Sequence, residues 1–289
     1  MQSQPLDRRT GSASSRSRVI EMALVCFVSQ KGSPGTTLTA LSVAAAWPAD
    51  VERKRLLIEA DPFGGVLALR YQLGHEPGLM TLAAALRGGI GVDDVWNHAQ
   101  ELPGGLPAII GPDRPDQANA VLAATGDRLG AWLADLDGVD VIVDVGRVAT
   151  NSHAGDLLEH ADLVLMVARP NVEQLQPAAQ RMQTLGLPED KLGWVLIGER
   201  PHNRDEVEAT FGIAVAGVIA DDPRGAKALE QGSTASRLRR TAIVRTAKAL
   251  AGDLAQSLHP KIGESDAGEL AAVAGVADLV SLGGLTHDR

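Results

Sequence analysis

Aromatic residues are scarce: they make up 3% of the 289 residues, with a single Tyr and three Phe. A core poor in rings must be filled by Ala, Leu, Val and Ile. This suits helices packed tightly on a buried sheet better than it suits a β-sandwich. Cysteine is nearly absent. Cys26, the only one, sits inside an apolar run, so neither a disulfide framework nor a cysteine zinc site can form, and a reducing cytoplasm is expected. No apolar stretch reaches the eighteen or so residues that span a bilayer, and "MQSQPLDRRTGSASSRSR" lacks the apolar centre of a secretion signal. The expectation is a soluble cytoplasmic protein. Positive charge is also in deficit, with a net charge of -9 and a pI near 5.3, which argues against a protein that coats nucleic acid over its whole surface. Local basic patches stay open. The seven histidines show no metal-like pairing, G-x-S-x-G is missing, and Cys26 lies too deep in its run to act as a nucleophile.

What is present is rhythm. From Met22 onward the chain alternates short apolar runs, "ALVCFVS", "RLLIEAD", "LPAIIGP", "VDVIVDVG", "ADLVLMVA", "LGWVLIG" and "IAVAGVIA", with helix-like segments such as "TLTALSVAAAW" and "DQANAVLAATGDRLGAWLADL". Runs of four to eight Val, Ile and Leu alternating with helices specify an α/β fold: a doubly wound, mostly parallel sheet with helices on both faces. The last helix is expected over 235 to 258, "ASRLRRTAIVRTAKALAGDLAQSL". Three segments follow. Residues 1 to 21 form a basic tail expected to be disordered, with four Arg against one Asp in its first twenty positions. Residues 22 to 259 form the folded domain. Residues 260 to 289 form an acidic, partly disordered tail.

One stretch carries chemistry. In "FVSQKGSPGTTLTAL", residues 27 to 41, a strand gives way to a Gly-rich turn and a helix opening at Thr36-Thr37. Such a turn lets backbone N–H groups converge on phosphate oxygens at a positively polarised helix start. Gly32 and Gly35 provide the backbone freedom, Ser33 lies between them, and the Thr37 hydroxyl stands where magnesium is held. Measured against G-x-x-x-x-G-K-[ST] the loop fails twice, with Gln30 for the first Gly and Thr36 for the Lys.

Lys31 makes the match specific. "SQKGSPGTTL" resembles the deviant Walker A loop of the ParA/MinD family of P-loop ATPases, which begins with an additional lysine. "LLIEADPFGG" resembles the family's second motif, with Asp61 where the attacking water is oriented and Glu59 in place of an aspartate. "VDVIVDVGR" resembles its Walker B strand, with Asp144 at the magnesium-associated carboxylate. "ADLVLMVARP" and "FGIAVAGVIADDPRGAKALEQG" resemble later segments in the right order. Together they span roughly residues 22 to 258.

The resemblance implies ATP and Mg2+ as cofactors. Lys31, Gly32, Ser33, Gly35, Thr36, Thr37, Glu59 and Asp144 would bind them, with Thr37 and Asp144 on the metal and Asp61 and Lys31 serving hydrolysis. It implies a homodimer in which Lys31 reaches the partner's phosphates. It further implies a positioning or partitioning function through a partner protein, and a contact to DNA through Arg237, Arg239, Arg240, Arg245 and Lys248. The acidic tail speaks against a membrane.

The departures bear on turnover. Thr36 offers a hydrogen bond but no charge, and a charge-assisted hydrogen bond contributes on the order of 1.5 to 3 kcal/mol. The expected enzyme is at most a slow ATPase. The alternative is an inactive scaffold, like the TadZ/CpaE-like proteins, that localises a pilus, secretion or division assembly. Glu199 stands where the family often reads the base, which leaves base identity open. Gly146-Arg147 replaces a pair of prolines. Arg147 reads either as a phosphate-facing cation or, by ordinary surface statistics, as a solvated Arg paired with an acid.

Overall fold

A computed structural model of the chain describes residues 22–31, 35–49, 53–149, 153–231 and 238–259. Both expected tails, together with Gly32, Ser33 and Arg237, lie outside the described residues.

In chain order the elements are β1 (Leu24–Ser29), α1 (Thr36–Ala46), β2 (Lys54–Glu59), α2 (Leu67–Tyr71), α3 (Leu79–Gly88), β3 (Gln100–Leu102), β4 (Leu106–Ile109), α4 (Pro115–Thr125), α5 (Arg128–Leu133) and β5 (Val139–Arg147). There follow α6 (Gly155–Glu159), β6 (Leu163–Ala168), α7 (Val172–Thr184), β7 (Leu192–Ile197), α8 (Arg204–Phe211), β8 (Val215–Ile219), α9 (Pro223–Gln231) and α10 (Ala242–Leu258). The strands form one eight-stranded sheet in the order β3-β4-β2-β5-β1-β6-β7-β8, parallel everywhere except between β3 and β4.

Every apolar run that the sequence marked as a strand is one. Alternate residues of a strand face opposite sides, so each central strand feeds two cores. Leu24, Cys26 and Val28 of β1 join the core under α3 to α8, while Val25 and Phe27 join the one under α1, α2 and α10. Aliphatic side chains fill both, and Trp47, Trp194 and Phe27 are the large rings wholly buried there.

Three local features depart from the sequence reading. β3 was not expected; it is three residues pairing antiparallel with β4 at the sheet edge. The helical segment after Pro115 breaks in two, because Gly126 adopts a φ of 51 and ends α4 before α5 begins. The last helix starts at Ala242 rather than 235, because Thr241 takes an extended ψ of 148. The Ala242 N–H, which a continuous helix would pair with Leu238, is instead accepted by Asp222 Oδ2 at 3.0 Å. Asp222 Oδ1 also accepts from Gly225 N at 2.8 Å, so one carboxylate fixes the start of both α9 and α10.

At the amino end of the sheet Asp140 of β5 is wholly buried and fully engaged. Its Oδ1 accepts from Ala23 N at 2.9 Å and lies 2.9 Å from His259 Nε2; its Oδ2 accepts from Trp47 Nε1 at 2.8 Å; and Arg53 lies 3.5 Å away. This carboxylate ties β1, the end of α1 and the end of α10 to the central strand. Removing a buried ionic partner leaves the others desolvated and unsatisfied. Asp140→Ala is therefore expected to lower stability by about 3 kcal/mol or more, read from chemical denaturation midpoints.

Candidate functional site

The carboxyl ends of the parallel strands open into a cleft of about 580 Å³. Parallel sheets bind ligands at this edge, where the chain leaves one strand to opposite sides. Here β1 lies between β5 and β6: the chain runs from β1 by way of α1 to β2 on one side and later returns to β6 on the other.

Gly35 shapes the floor with a φ of 94, a left-handed conformation that favours glycine, and so starts α1. Thr36, Thr37 and Thr39 of that first turn line the cleft, as do Ser29 and Asp61. The Thr36 side chain is buried and its hydroxyl has no hydrogen-bond partner. A buried polar atom left in this way can be satisfied by a bound ligand or an ordered water. No acidic residue occupies the first turn of α1, so its helix-start polarity is not offset locally.

Three carboxylates lie at or beneath this floor, in three different states. Glu59, the last residue of β2, accepts from Val66 N at 2.6 Å and Leu67 N at 3.0 Å through Oε1, and from Gly111 N at 3.1 Å through Oε2. It caps α2, holds the loop after β4, and does not line the cleft. A Cβ at Gly65 would fall on its carboxylate, and one at Gly111 would collide with its backbone carbonyl. Asp61 lines the cleft and accepts from Phe63 N at 2.7 Å. Burial pushes its pKa above the usual carboxylate range, against the lowering effects of the Phe63 N–H and of Arg147. Burial likewise raises that of Glu59.

Asp144 is the least satisfied. Its Oδ1 accepts from Gly146 N at 3.1 Å, while Oδ2 is buried without a partner. Burial pushes the pKa up to about 7, with Glu59 and Asp61 adding to the rise and the neighbouring Thr37 hydroxyl opposing it. A divalent cation beside Thr37 would supply the counter-charge that this carboxylate lacks, so the residues fit a magnesium ion completed by phosphate oxygens and water. Among the described residues no group of three or more His, Cys, Asp or Glu forms a metal cluster.

The other residues expected from the sequence lie elsewhere. Lys31 is exposed and its Nζ donates to the Glu173 carbonyl at the start of α7, 3.0 Å away, outside the cleft lining. Arg239 and Arg240 sit in the turn before α10, Arg245 and Lys248 on the helix, and Arg245 donates to the Arg240 carbonyl at 3.1 Å.

Three arginines that the sequence reading did not bring together converge on the cleft. Arg169 forks onto Asp221 at 2.6 and 3.1 Å, Arg70 lies 3.7 Å from Glu230, and Arg147 lies over the Phe63 ring, 3.8 Å from its centroid. The expected acid partner of Arg147 is not found within 4.0 Å among the described residues. Phe63, an aromatic exposed in a chain with so few, was the available signal.

Asp144 sets a pH dependence. A group whose folded pKa lies above its unfolded value binds its proton more tightly when folded, so its penalty is complete above about pH 7 and fades as the pH falls toward about 4. In magnesium-free buffer Asp144→Asn should stabilise the protein relative to wild type at pH 8, by on the order of 1 to 4 kcal/mol. The gain should shrink steadily toward pH 4.5 in denaturation curves of both proteins.

No family model and no curated protein matches the sequence. Solved structures do match. A ParA family ATPase from Chlorobium tepidum TLS is 19% identical with a TM-score of 0.64, over 78% of this chain and 98% of that one. The septum site-determining protein MinD of Pyrococcus horikoshii OT3, complexed with Mg-ADP, is 16% identical with a TM-score of 0.60, over 84% and 100%. A single-residue variant of Cyanothece McdA, in complex with ATP, is 19% identical with a TM-score of 0.57, over 85% and 99%. The chain therefore has the P-loop α/β fold of the ParA/MinD ATPases, its structural neighbours.

Proposed function

We propose that this protein is a nucleotide-gated positioning or partitioning protein that binds ATP with Mg2+ in the cleft, dimerises on it, and hydrolyses it slowly or not at all. The observation that carries this reading is that Gly35, the orphaned Thr36 hydroxyl, Thr37 and Asp61 line one cleft, with the partnerless Asp144 oxygen buried next to Thr37 beneath that lining. Two neighbours of the same fold hold Mg-ADP and ATP.

In this reading the first turn of α1, together with Gly32 and Ser33, cradles phosphate. Thr37 and Asp144 hold the metal, and Asp61 orients water. Lys31, exposed at the mouth of the loop, acts across a dimer interface. Glu59 contributes by fixing α2 and the loop at Gly111 rather than by touching the nucleotide.

Thr36 in place of a lysine favours the second reading, a ParA-like scaffold of the TadZ/CpaE kind that keeps the fold but not turnover, and localises an assembly through a partner protein. A cytoplasmic location fits either. No helix among the described residues is long and apolar enough to cross a membrane.

Arg239, Arg240 and Arg245 are exposed around one turn, with no described carboxylate within 4.0 Å, and are proposed, with Arg237 and Lys248, as a DNA-contacting surface. Such binding should weaken steeply with salt, losing tens-fold or more between 50 and 200 mM salt, in a mobility-shift titration; a salt-independent shift, or none, removes DNA from the proposal.

Fluorescent Mg-ATP titration with light scattering tests the gating. Binding should be accompanied by a doubling of mass, and Lys31→Ala should abolish the dimer while leaving the melting temperature of the free protein unchanged. Binding without a change in mass would leave a monomeric ligand-binding protein and end the switch reading.

A further inference from the structure

The three arginines of the cleft are held to different degrees. Arg169 is hydrogen-bonded to Asp221 through both ends of its fork, while Arg70 lies 3.7 Å from Glu230 with its Nη1 buried and without a hydrogen-bond partner. Arg147 has no described carboxylate oxygen within 4.0 Å. It is nevertheless not a loose surface side chain. It is half-buried at the end of β5, its guanidinium stacks on Phe63 at 3.8 Å, and it lines the same cleft as Gly35, Thr36 and Thr37. Stacking fixes the plane of the group while leaving its N–H edge free for a ligand, and the guanidinium fork matches phosphate oxygens in pairs.

The backbone beneath it is specialised for this placement. Gly146 adopts a φ of 61, and a Cβ there would fall on the Asp61 carboxylate. Glycine at 146 thus lets the chain turn tightly past Asp61, and Arg147 follows immediately. The guanidinium makes no direct ion pair within 4.0 Å among the described residues, although its charge acts on Asp61, and the helix start nearby has an orphaned hydroxyl, Thr36, where the phosphate loop lacks its cation. Both are satisfied by one kind of ligand.

We propose that Arg147 is a polyphosphate-binding residue that supplies, from the end of β5, the positive charge that Thr36 does not supply from the loop. The inference rests on the nucleotide-binding reading above and goes beyond it in naming the residue that makes binding possible within one subunit.

The test compares wild type, Arg147→Ala, Arg147→Lys and the double variant Thr36→Lys with Arg147→Ala, each titrated with Mg-ATP, AMP and adenosine, with melting temperatures recorded without ligand. Arg147→Ala should weaken Mg-ATP about tenfold or more and leave adenosine unchanged. Arg147→Lys should retain part of the affinity, and Thr36→Lys should restore most of what Arg147→Ala loses, because it returns a cation to the same cleft by another route. Equal weakening of Mg-ATP and adenosine, or a loss matched by a lower melting temperature and not restored by Thr36→Lys, would make Arg147 a structural residue and overturn the proposal. Wild type that binds Mg-ATP while Arg147→Ala binds it equally well overturns the inference and leaves nucleotide binding standing. Wild type that binds no Mg-ATP up to millimolar concentration overturns the nucleotide reading itself, and the inference with it.

Discussion

The rest of the structure depends on how β5 carries buried charge. Asp140 and Asp144 lie four residues apart on this central strand, on the same face of the sheet by its two-residue period. Asp140 has partners on both oxygens, and through them it holds β1, α1 and α10 together. Asp144 has one oxygen without a hydrogen-bond partner, and burial, with Glu59 and Asp61 adding to it, pushes its pKa up to about 7 against the opposing Thr37 hydroxyl and Gly146 N–H. A satisfied buried carboxylate rigidifies; an unsatisfied one is unstable until something binds it. One end of the strand is framework and the other is site, and the sheet between them fixes the distance.

Around the unsatisfied end, charge is sorted by how firmly each group is held. Glu59 is used up by three backbone N–H groups and sets the geometry of α2 and of the loop at Gly111. Arg169 is hydrogen-bonded to Asp221 after β8, and Arg70 is held more loosely, 3.7 Å from Glu230 of α9 with its Nη1 unpartnered. Arg147, Thr36 and Asp144 retain unspent capacity, positive, neutral and negative in turn. A ligand that joins a polyanion to a divalent cation answers all three, which is the physical content of the nucleotide reading.

Much of this was legible in the sequence because buried parallel strands write themselves as Val, Ile and Leu runs, and seven of the eight do so. β3 escaped because "QEL" is polar and three residues long; only its pairing with β4 makes it a strand. The break between α4 and α5 had a local sign in Gly126, whereas the start of α10 is fixed by Asp222, twenty residues earlier in the chain, which no local pattern reveals. Of the residues picked from motif spacing, Gly35, Thr36, Thr37 and Asp61 line the cleft, and Asp144 lies buried beneath that lining. Glu59 was expected at the nucleotide because its place in the motif does not show where its oxygens point. Arg147 was weighed against surface statistics, and its stacking on Phe63, eighty-four positions away, exists only in three dimensions.

Glu59 also limits how this sequence can vary over time. Its carboxylate reaches Val66, Leu67 and Gly111 at once and occupies the space a side chain at 65 would need, while a side chain at 111 is barred by the backbone carbonyl of residue 59 itself. Aspartate at 59 would be one methylene too short to span the same donors, and alanine at 65 would collide with the longer acid. The acid at 59 and the glycine at 65 are therefore coupled through the side chain, whereas glycine at 111 is required by the backbone whatever acid stands at 59.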